Sequence, residues 1–343
     1  MKYAKGIFCG ALSFALGASY GMENQAGGAG WFPAPVPLKT VWGEKVTPEN
    51  AWREYPRPQM VRDGWVNLNG LWDYAVTKDA PEVPRTWDER ILVPFAIESS
   101  LSGVGRLLEP GEILWYRRTI DGTRKPGERL LLNFDAVDFR TQVFVNGREV
   151  TDVPHEGGQL PFTLDITDFV SGASNELVVC TWDPTEDFVN SRGKQSFRPG
   201  GCFYTRVSGI WQTVWLERVP ETYIEDYRVT TDIDAGTVTF RFDVKSPKFA
   251  KPEVEVTVAG LQGRTENGAL VVKMPAGFKL WSPEEPNLYG FTATCGEDRV
   301  DGYFGMRKFD MAPDAKGVLR FRLNNKFRYI LGTLDQGLWP DGL

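Results

Sequence analysis

The sequence predicts an all-β protein that consists of two β-sandwiches in series. Short runs rich in Val, Leu, Phe and Trp recur along the chain, most of them alternate apolar and polar residues, and they end at Gly, Pro, Asn or Asp. No run of a dozen residues keeps a helical period between Trp65 and Pro220. Two antiparallel sheets packed face to face are the economical way to bury such strands.

The first sandwich is predicted to occupy residues 51–220. Strand segments are expected at residues 72–76, 114–120, 129–134, 142–145, 176–182 and 212–217. Asn146 and Gly147 follow the fourth of these, and Asn-Gly is the strongest short signal for a type I′ hairpin turn. Pro220 closes the series, so we place the end of the first sandwich there.

The second sandwich is predicted at residues 221–310. Its expected strands include residues 227–231, 237–244, 253–258, 270–274 and 289–294, where alternation is cleaner than in the first series. Turns recur about every 8–12 residues, which is typical of an immunoglobulin-like sandwich. The inter-sheet cysteine pair of true immunoglobulin domains is missing, so the likeness is one of architecture.

The N-terminus has the pattern of an export signal. Lys2 and Lys5 precede an apolar stretch at residues 6–16, and small residues follow as far as Gly21. We therefore expect a signal peptide at residues 1–21 and a periplasmic or extracellular location. The apolar stretch is too short to span a bilayer and no other long apolar run follows, so we expect no membrane partner after cleavage. The Gly- and Pro-rich residues 22–50 indicate a linker or an arm along a sheet edge.

Charge and composition exclude several classes of function. The net charge is −6 and no block of Lys and Arg occurs, which argues against nucleic acid as a partner. His155 is the single histidine, and we interpret it as a loop residue without a catalytic role. We therefore expect neither a metal nor a cofactor. Cys180, Cys202 and Cys295 are predicted to be lone buried thiols, or one disulfide with one free thiol. The sequence does not specify an oligomeric state.

Nine segments carry a resemblance to a known enzyme family. They occur at residues 68–72, 93–99, 115–118, 143–147, 161–167, 175–179, 207–217, 280–289 and 303–307, and the most specific reads VSGIWQTVWLE at 207–217. In this order they resemble the sugar-binding and immunoglobulin-like domains of the family 2 glycoside hydrolases, such as β-galactosidases and β-glucuronidases. The resemblance implies a galactose-binding-like jelly roll at 51–220, an immunoglobulin-like sandwich at 221–310, and the start of a truncated catalytic TIM barrel at 311–343.

The resemblance also implies carbohydrate as the partner and a retaining reaction. Such a reaction needs two carboxyl groups about 5–5.5 Å apart. In the family both are glutamates on an eight-stranded barrel of about 250 residues, and the acid/base glutamate follows an Asn. Residues 311–343 have room only for a first barrel strand, at 329–332. The single Asn-Glu pair, Asn175-Glu176, opens a jelly-roll strand, and we interpret it as structural. We expect no catalytic residue in this chain and no activity from it alone.

Four residues are candidates to line a sugar pocket. In the galactosidases and glucuronidases that the chain resembles, an Asp six residues before a bend glycine contacts the sugar. Here the bend is at Gly209 and that position is Phe203, which argues against both of these specificities. Arg198, Tyr204 and Arg206 lie on the same loop, and Asp335 follows the expected barrel strand. We predict these four residues as candidates for substrate binding, and a structural or surface role is the alternative for each.

Two other functions compete with that of a glycosidase front end. A free-standing carbohydrate-binding module would require a natural end at Leu343, and a structural β-sandwich adhesin would bind no sugar. The C-terminal region favours the glycosidase, because residues 333–343 contain Leu334, Leu338 and Trp339 without a further domain to pack on. We expect this tail to be disordered or loose on the surface, and residues 321–331 to pair as a hairpin through Asn324-Asn325.

Overall fold

The computed structural model describes residues 30–78, 82–247 and 252–343, and the predicted signal peptide lies outside them. Within these ranges the regular structure is β-strand apart from three-residue 3-10 turns at Gly43–Lys45, Ser100–Ser102 and Thr167–Phe169. The prediction of an all-β fold built from sandwiches is confirmed. No helix in the described ranges is long and apolar enough to cross a membrane.

The first sandwich is formed by the strands that precede Glu221. They are β1 (Trp65–Asn67), β2 (Gly70–Lys78), β3 (Glu89–Val93), β4 (Glu112–Ile120), β5 (Glu128–Phe134), β6 (Val137–Asp138), β7 (Arg140–Val145), β8 (Arg148–Glu149), β9 (His155–Glu156), β10 (Phe162–Asp165), β11 (Asn175–Trp182), β12 (Gly209–Ile210) and β13 (Val214–Pro220).

Two antiparallel sheets enclose the first core. One has the strand order β1-β13-β5-β10, and the other has the order β3-β2-β4-β11-β7-β8, with β9 beside β7. The short strands β6 and β12 pair separately. Side chains from both sheets fill the space between them, among them the fully buried Trp72, Tyr116 and Phe134. The burial of these large rings contributes to the stability of the sandwich together with the aliphatic side chains around them.

The turn at Asn146 and Gly147 joins β7 to β8 as predicted. Asn146 has φ 51° and Gly147 has φ 73°, the left-handed values that a type I′ turn requires. The Asn146 amide also ties the turn to the rest of the sheet. Its nitrogen donates to the Phe169 carbonyl at 2.9 Å, and its oxygen accepts from the Glu176 N–H at 3.0 Å.

The second sandwich is formed by the next seven strands. They are β14 (Tyr223–Asp232), β15 (Thr237–Lys245), β16 (Glu255–Val258), β17 (Leu261–Arg264), β18 (Ala269–Lys273), β19 (Tyr289–Cys295) and β20 (Asp298–Phe304). One sheet has the order β14-β15-β18 and the facing sheet the order β17-β16-β19-β20. Phe240 is the centre of an aromatic core, with the ring of Phe291 at 5.0 Å and that of Phe304 at 5.8 Å in edge-to-face contact.

A small sheet follows the second sandwich. It consists of β21 (Phe309–Pro313), β22 (Leu319–Leu323) and β23 (Lys326–Phe327) in that order. The register places Met311 opposite Phe321 on one face, and Asp310 opposite Arg322 on the other. On the polar face, Arg322 and Asp310 form an ion pair across the two strands at 2.5 Å. The apolar face is open to solvent, because Phe321 is 55% exposed and Leu319 61% exposed.

The hairpin predicted at residues 321–331 is shorter than expected. Its turn lies at Asn324 and Asn325 as predicted, but the strand pairing ends at Phe327, followed by one hydrogen bond from the Arg328 N–H to the Phe321 carbonyl at 3.0 Å. Residues 329–332, the expected first barrel strand, have no strand partner in the described part of the chain. A parallel strand that lacks both neighbours has nothing to pair with.

The C-terminal tail is not loose along its whole length. The expectation that residues 333–343 are disordered or loose on the surface was wrong for the last residues of this tail. Asp341 is 3% exposed and its Oδ2 accepts two hydrogen bonds from Thr40, from the backbone N–H at 2.6 Å and from the hydroxyl at 2.7 Å. The Asp341 carbonyl accepts from the Leu101 N–H at 2.8 Å. Sequence reasoning missed this contact because its two partners lie 301 positions apart.

The arm that precedes β1 contacts the same turn from the other side. The Ala34 N–H donates to the Ser100 carbonyl at 2.8 Å, and the Ser100 hydroxyl donates to the Ala34 carbonyl. The predicted arm therefore runs along the first sandwich for the part that the structure describes. The turn Ser100–Ser102 is held between this arm and the C-terminal tail.

A buried arginine joins the two sandwiches. Arg62 precedes β1, is 5% exposed, and makes a bidentate contact with Asp298 at the start of β20, with both distances 3.0 Å. Its other terminal nitrogen donates to Glu217 Oε2 on β13 at 3.2 Å. Glu217 is fully buried and also contacts Arg57 at 2.5 Å. Burial alone would raise the pKa of Glu217, but Arg57 and Arg62 lower it below its ordinary value.

The cysteines and the histidine depart in part from the predictions. Cys180 and Cys295 are buried free thiols as expected, whereas Cys202 is an exposed free thiol. His155 is not in a loop but in the two-residue strand β9, which pairs with β7. Its ring stacks on that of Phe162 with a centroid distance of 4.0 Å, and partial burial lowers its pKa.

Two leucine substitutions test the assignment of core and surface. Leu132→Ala removes a fully buried side chain from the first core, so we expect a loss of about 2–5 kcal/mol in the free energy of unfolding. Leu319→Ala changes an exposed side chain on the open face of the small sheet, and we expect a change within about 0.5 kcal/mol. Urea denaturation followed by tryptophan fluorescence measures both, and equal effects would contradict the assignment.

Candidate functional site

A tight bend ends the loop that carries three of the predicted site residues. Gly209 has φ +85°, and a Cβ at this position would lie 2.0 Å from the Tyr116 hydroxyl oxygen. The same hydroxyl accepts a hydrogen bond from the Ile210 N–H at 3.1 Å. Only glycine therefore fits here, because a side chain would be strained by the backbone and would collide with a buried tyrosine.

The loop before the bend, residues 192–207, is called the bend loop below. It is held by hydrogen bonds of its own. The Tyr204 N–H donates to the Lys194 carbonyl at 2.9 Å, and the Ser196 N–H donates to the Tyr204 carbonyl at 3.1 Å. The Gln195 side-chain oxygen accepts from the Val207 N–H at 2.6 Å. The loop thus returns on itself and presents its side chains from a defined backbone.

Two of the predicted residues, Tyr204 and Asp335, lie in one neighbourhood. The Tyr204 hydroxyl donates to the Gln336 side-chain oxygen at 2.7 Å, and Lys194 Nζ donates to the same atom at 3.1 Å. Asp335 precedes Gln336, is exposed, and accepts a hydrogen bond from the Gly337 N–H at 2.9 Å. We call this surface, formed by the bend loop and residues 335–337, the loop–tail face.

The other two predicted residues have different surroundings. Arg198 is exposed on the bend loop. Arg206 is 1% exposed, its guanidinium pairs with Glu109 Oε1 at 3.1 Å, and it lies over the Phe197 ring at 5.1 Å from the centroid. Arg206 therefore supports the bend loop from inside, whereas Arg198 and the 49% exposed Phe203 face solvent.

Sequence reasoning missed two carboxyl groups that hold the bend. The Ser208 N–H donates to Glu98 Oε2 at 2.9 Å, and the Ser208 hydroxyl donates to Asp183 Oδ2 at 2.6 Å. Glu98 follows β3 and Asp183 follows β11, so two distant segments meet at one serine. Residues 93–99 are one of the segments that carry the family resemblance, but nothing in their pattern predicts that the Glu98 side chain is buried.

The Asn175-Glu176 pair takes part in local structure. The Asn175 side chain is buried, its oxygen accepts from the Ser171 N–H at 2.7 Å, and its nitrogen donates to the Gly172 carbonyl at 3.1 Å. Glu176 is the second residue of β11, and its carboxylate lies 3.9 Å from Arg117. The amide of Asn175 is thus used to close the turn before the strand.

No group of three or more His, Cys, Asp or Glu side chains within residues 30–78, 82–247 and 252–343 is arranged to hold a metal ion. The chemistry available on the loop–tail face is that of polar recognition. It combines hydroxyl, amide, ammonium and carboxylate groups with one exposed aromatic ring, the combination that small polar ligands such as sugars need.

Residues 109–220 match the sequence model for the sugar binding domain of glycosyl hydrolases family 2, and residues 222–307 match a second model of glycosyl hydrolases family 2. The chain belongs to glycosyl hydrolase family 2. The two matches meet near Pro220, where β13 ends. The family 2 resemblance inferred from the nine sequence segments is confirmed.

Similar proteins in this family carry β-glucuronidase names. A β-glucuronidase of Paenibacillus borealis is 25% identical over 73% of this chain and 44% of its own length. The human β-glucuronidase is 28% identical over 67% of this chain and 40% of its own length. A solved structure of the Lactobacillus rhamnosus β-glucuronidase aligns with 79% of this chain and 48% of its own, with a TM-score of 0.60 and 25% identity. This family 2 chain therefore spans less than half of these relatives.

A pair of glycine substitutions tests the bend. We expect Gly209→Ala to abolish stable folding of the first sandwich, because the new Cβ would lie 2.0 Å from the Tyr116 hydroxyl in addition to its backbone strain. Gly201→Ala is the matched control, since Gly201 has φ +59° and nothing within 4 Å of its Cβ position. It should cost only about 1–2 kcal/mol. Thermal unfolding of both variants provides the comparison, and a Gly209→Ala protein as stable as Gly201→Ala would refute the packing described.

Proposed function

We propose that this chain is the carbohydrate-binding front portion of an exported, retaining β-glycosidase of family 2. The observation that carries the proposal is the match of residues 109–220 to the family's sugar-binding domain. The loop–tail face supports it, because exposed polar groups of two separate segments converge there on a rigid support. The signal-like residues 1–21 are the basis for export.

Sugar recognition is assigned to the loop–tail face. The exposed Phe203 ring offers an apolar surface for a pyranose, and Tyr204, Arg198 and Asp335 offer hydrogen-bonding groups on the same face. Arg198 and Lys194 are exposed cationic groups of this face, and their charge suits an anionic sugar. β-Glucuronides are accordingly the first substrate class to test. Phe203 argues against this specificity on sequence grounds, so neutral β-glycosides are tested beside them.

The apolar face of the small sheet is assigned to contact with the catalytic portion of a longer glycosidase. Phe309, Met311, Leu319 and Phe321 are each more than half exposed and lie on the same face of β21 and β22. A contiguous apolar face of this kind is typical of a surface that another folded body covers. In this arrangement the sandwiches bind and position the sugar, and the two catalytic glutamates come from the portion that follows.

The activity of the 343-residue chain tests the proposal. We expect no hydrolysis of nitrophenyl β-glucuronide, β-galactoside or β-glucoside, because Glu98, Asp138 and Asp183 are buried and Glu176 lies on a strand surface. A family 2 β-glucuronidase in the same assay serves as the positive control. Hydrolysis that persists through purification and disappears in Glu176→Gln would overturn both the proposal and the structural role given to Asn175-Glu176.

A free-standing carbohydrate-binding module is the second candidate, and the packing of Asp341 against Thr40 is the observation in its favour. A glycan array distinguishes the two functions. A complete module should bind at least one glycan in the micromolar range, with loss on Phe203→Ala, whereas the front portion of an enzyme should show only weak binding. The structural adhesin would give no binding at all.

A further inference from the structure

Three buried carboxyl groups surround the bend at Ser208 and Gly209. Glu98 is 9% exposed, Asp183 is 3% exposed and Asp138 is 8% exposed. They come from three separate segments, the one after β3, the one after β11, and β6. We call Glu98, Asp138 and Asp183 the acid cluster.

Each member of the acid cluster contacts the bend or the bend loop. Glu98 and Asp183 accept hydrogen bonds from Ser208, as described above. Asp138 pairs with Gly209 through the backbone of the short β6–β12 ladder. The segments that carry the cluster therefore hold the C-terminal end of the bend loop at Ser208 and Gly209.

Among the described residues, no basic side chain forms an ion pair with the acid cluster. Within the described ranges, none of the three carboxyl groups has a Lys, Arg or His nitrogen within ion-pair distance. Arg206 is the basic group that acts on Asp183, but its guanidinium is paired with Glu109. Tyr116 faces Glu98, and Asp183 acts on both Glu98 and Asp138. A buried carboxylate without a counter-charge is costly, and neighbouring ones repel each other.

These surroundings favour the protonated form of each group. Burial raises the pKa of Glu98 to about 7, although the hydrogen bonds from Ser208 lower it in part. Burial and the nearby Asp183 raise the pKa of Asp138 to about 7. Burial also raises the pKa of Asp183 above its ordinary value. Glu98 and Asp138 thus change charge near neutral pH.

We propose that the acid cluster is a pH-responsive anchor of the bend loop, which holds the loop closed in mildly acidic surroundings and releases it more often as the surroundings become alkaline. The direction of this pH dependence follows from proton linkage. Each carboxyl binds its proton more tightly in the folded than in the unfolded state. Between about pH 4, the ordinary value, and about pH 7, each rise in pH lowers the stability that the cluster contributes. Above that range Glu98 and Asp138 are charged and the anchor is weakest.

Release of the bend loop would change the loop–tail face, and its effect on sugar recognition rests on the proposed function. In the structure Tyr204 and Lys194 both donate to the Gln336 side-chain oxygen, and this arrangement is the closed state of the bend loop. Opening of the loop would separate these side chains from the tail. Acidic conditions would then favour an assembled face, and alkaline conditions would disassemble it without unfolding either sandwich.

Hydrogen exchange of the 343-residue chain, measured by mass spectrometry at pH 5.5, 7.0 and 8.5, tests the anchor. After correction for intrinsic exchange rates, the protection of the peptide that contains Val207–Ile210 should fall about tenfold or more from pH 5.5 to 8.5, the change in equilibrium constant that one pKa unit represents. Peptides from β19 and β20 in the second sandwich are the internal reference and should change less. Equal changes in both regions, or no change at the bend, would overturn the proposal.

Substitutions identify the groups responsible. Glu98→Gln and Asp138→Asn, made separately, should each reduce the pH dependence at the bend and retain protection at pH 8.5. Glu109→Gln is the matched control, because Glu109 also pairs near the loop but its side chain is 62% exposed. It should leave the pH dependence unchanged. If Glu109→Gln abolished the pH dependence, the exposed ion pair rather than the acid cluster would be the anchor. Should one cluster variant fail to fold, the wild-type pH series and the other variant still decide.

Discussion

The buried guanidinium of Arg62 is the contact on which the arrangement of the two sandwiches depends. It binds Asp298 of the second sandwich and Glu217 of the first, and both carboxylates are almost completely buried. The same arginine donates to the Ile224 carbonyl, close to the point where the chain passes from one sandwich to the other. Removal of one partner from such a buried group leaves uncompensated charge and typically costs about 3–5 kcal/mol. Trp31–Leu343 accordingly form one compact unit.

This junction between the two sandwiches sets the positions of the segments that form the loop–tail face. The segment before β1 belongs to both sandwiches, because Met60 packs in the second core while Trp65–Asn67 form an edge strand of the first. Once the sandwiches are fixed in this way, the small sheet leaves the second one at a defined place. The tail then crosses the bend loop at Gln336 and ends against the first sandwich at Asp341. The loop–tail face exists because both ends of this path are fixed.

Local patterns predicted the strands well, because strand alternation and turn chemistry are short-range properties. The turn at Asn146 and Gly147 and the strands of both sandwiches are examples. The contacts that organise the site were not predictable, because they join residues far apart in sequence. Arg62 and Asp298 are 236 positions apart, and Glu98 and Ser208 are 110 apart. The burial of the Arg206 side chain was not predictable for the same reason, since its partner Glu109 lies on a different segment.

Differential scanning calorimetry of the wild-type chain and of Arg62→Met is the most direct test of this account. The wild type should unfold in one cooperative transition, because the two cores share the buried ion pairs. Arg62→Met should separate the unfolding into two transitions at lower temperature, since Glu217 and Asp298 lose their common partner. Arg264→Met, which changes an arginine that is 67% exposed, is the control and should unfold as the wild type does. An Arg62→Met protein that unfolds in a single transition at the wild-type temperature would contradict the account.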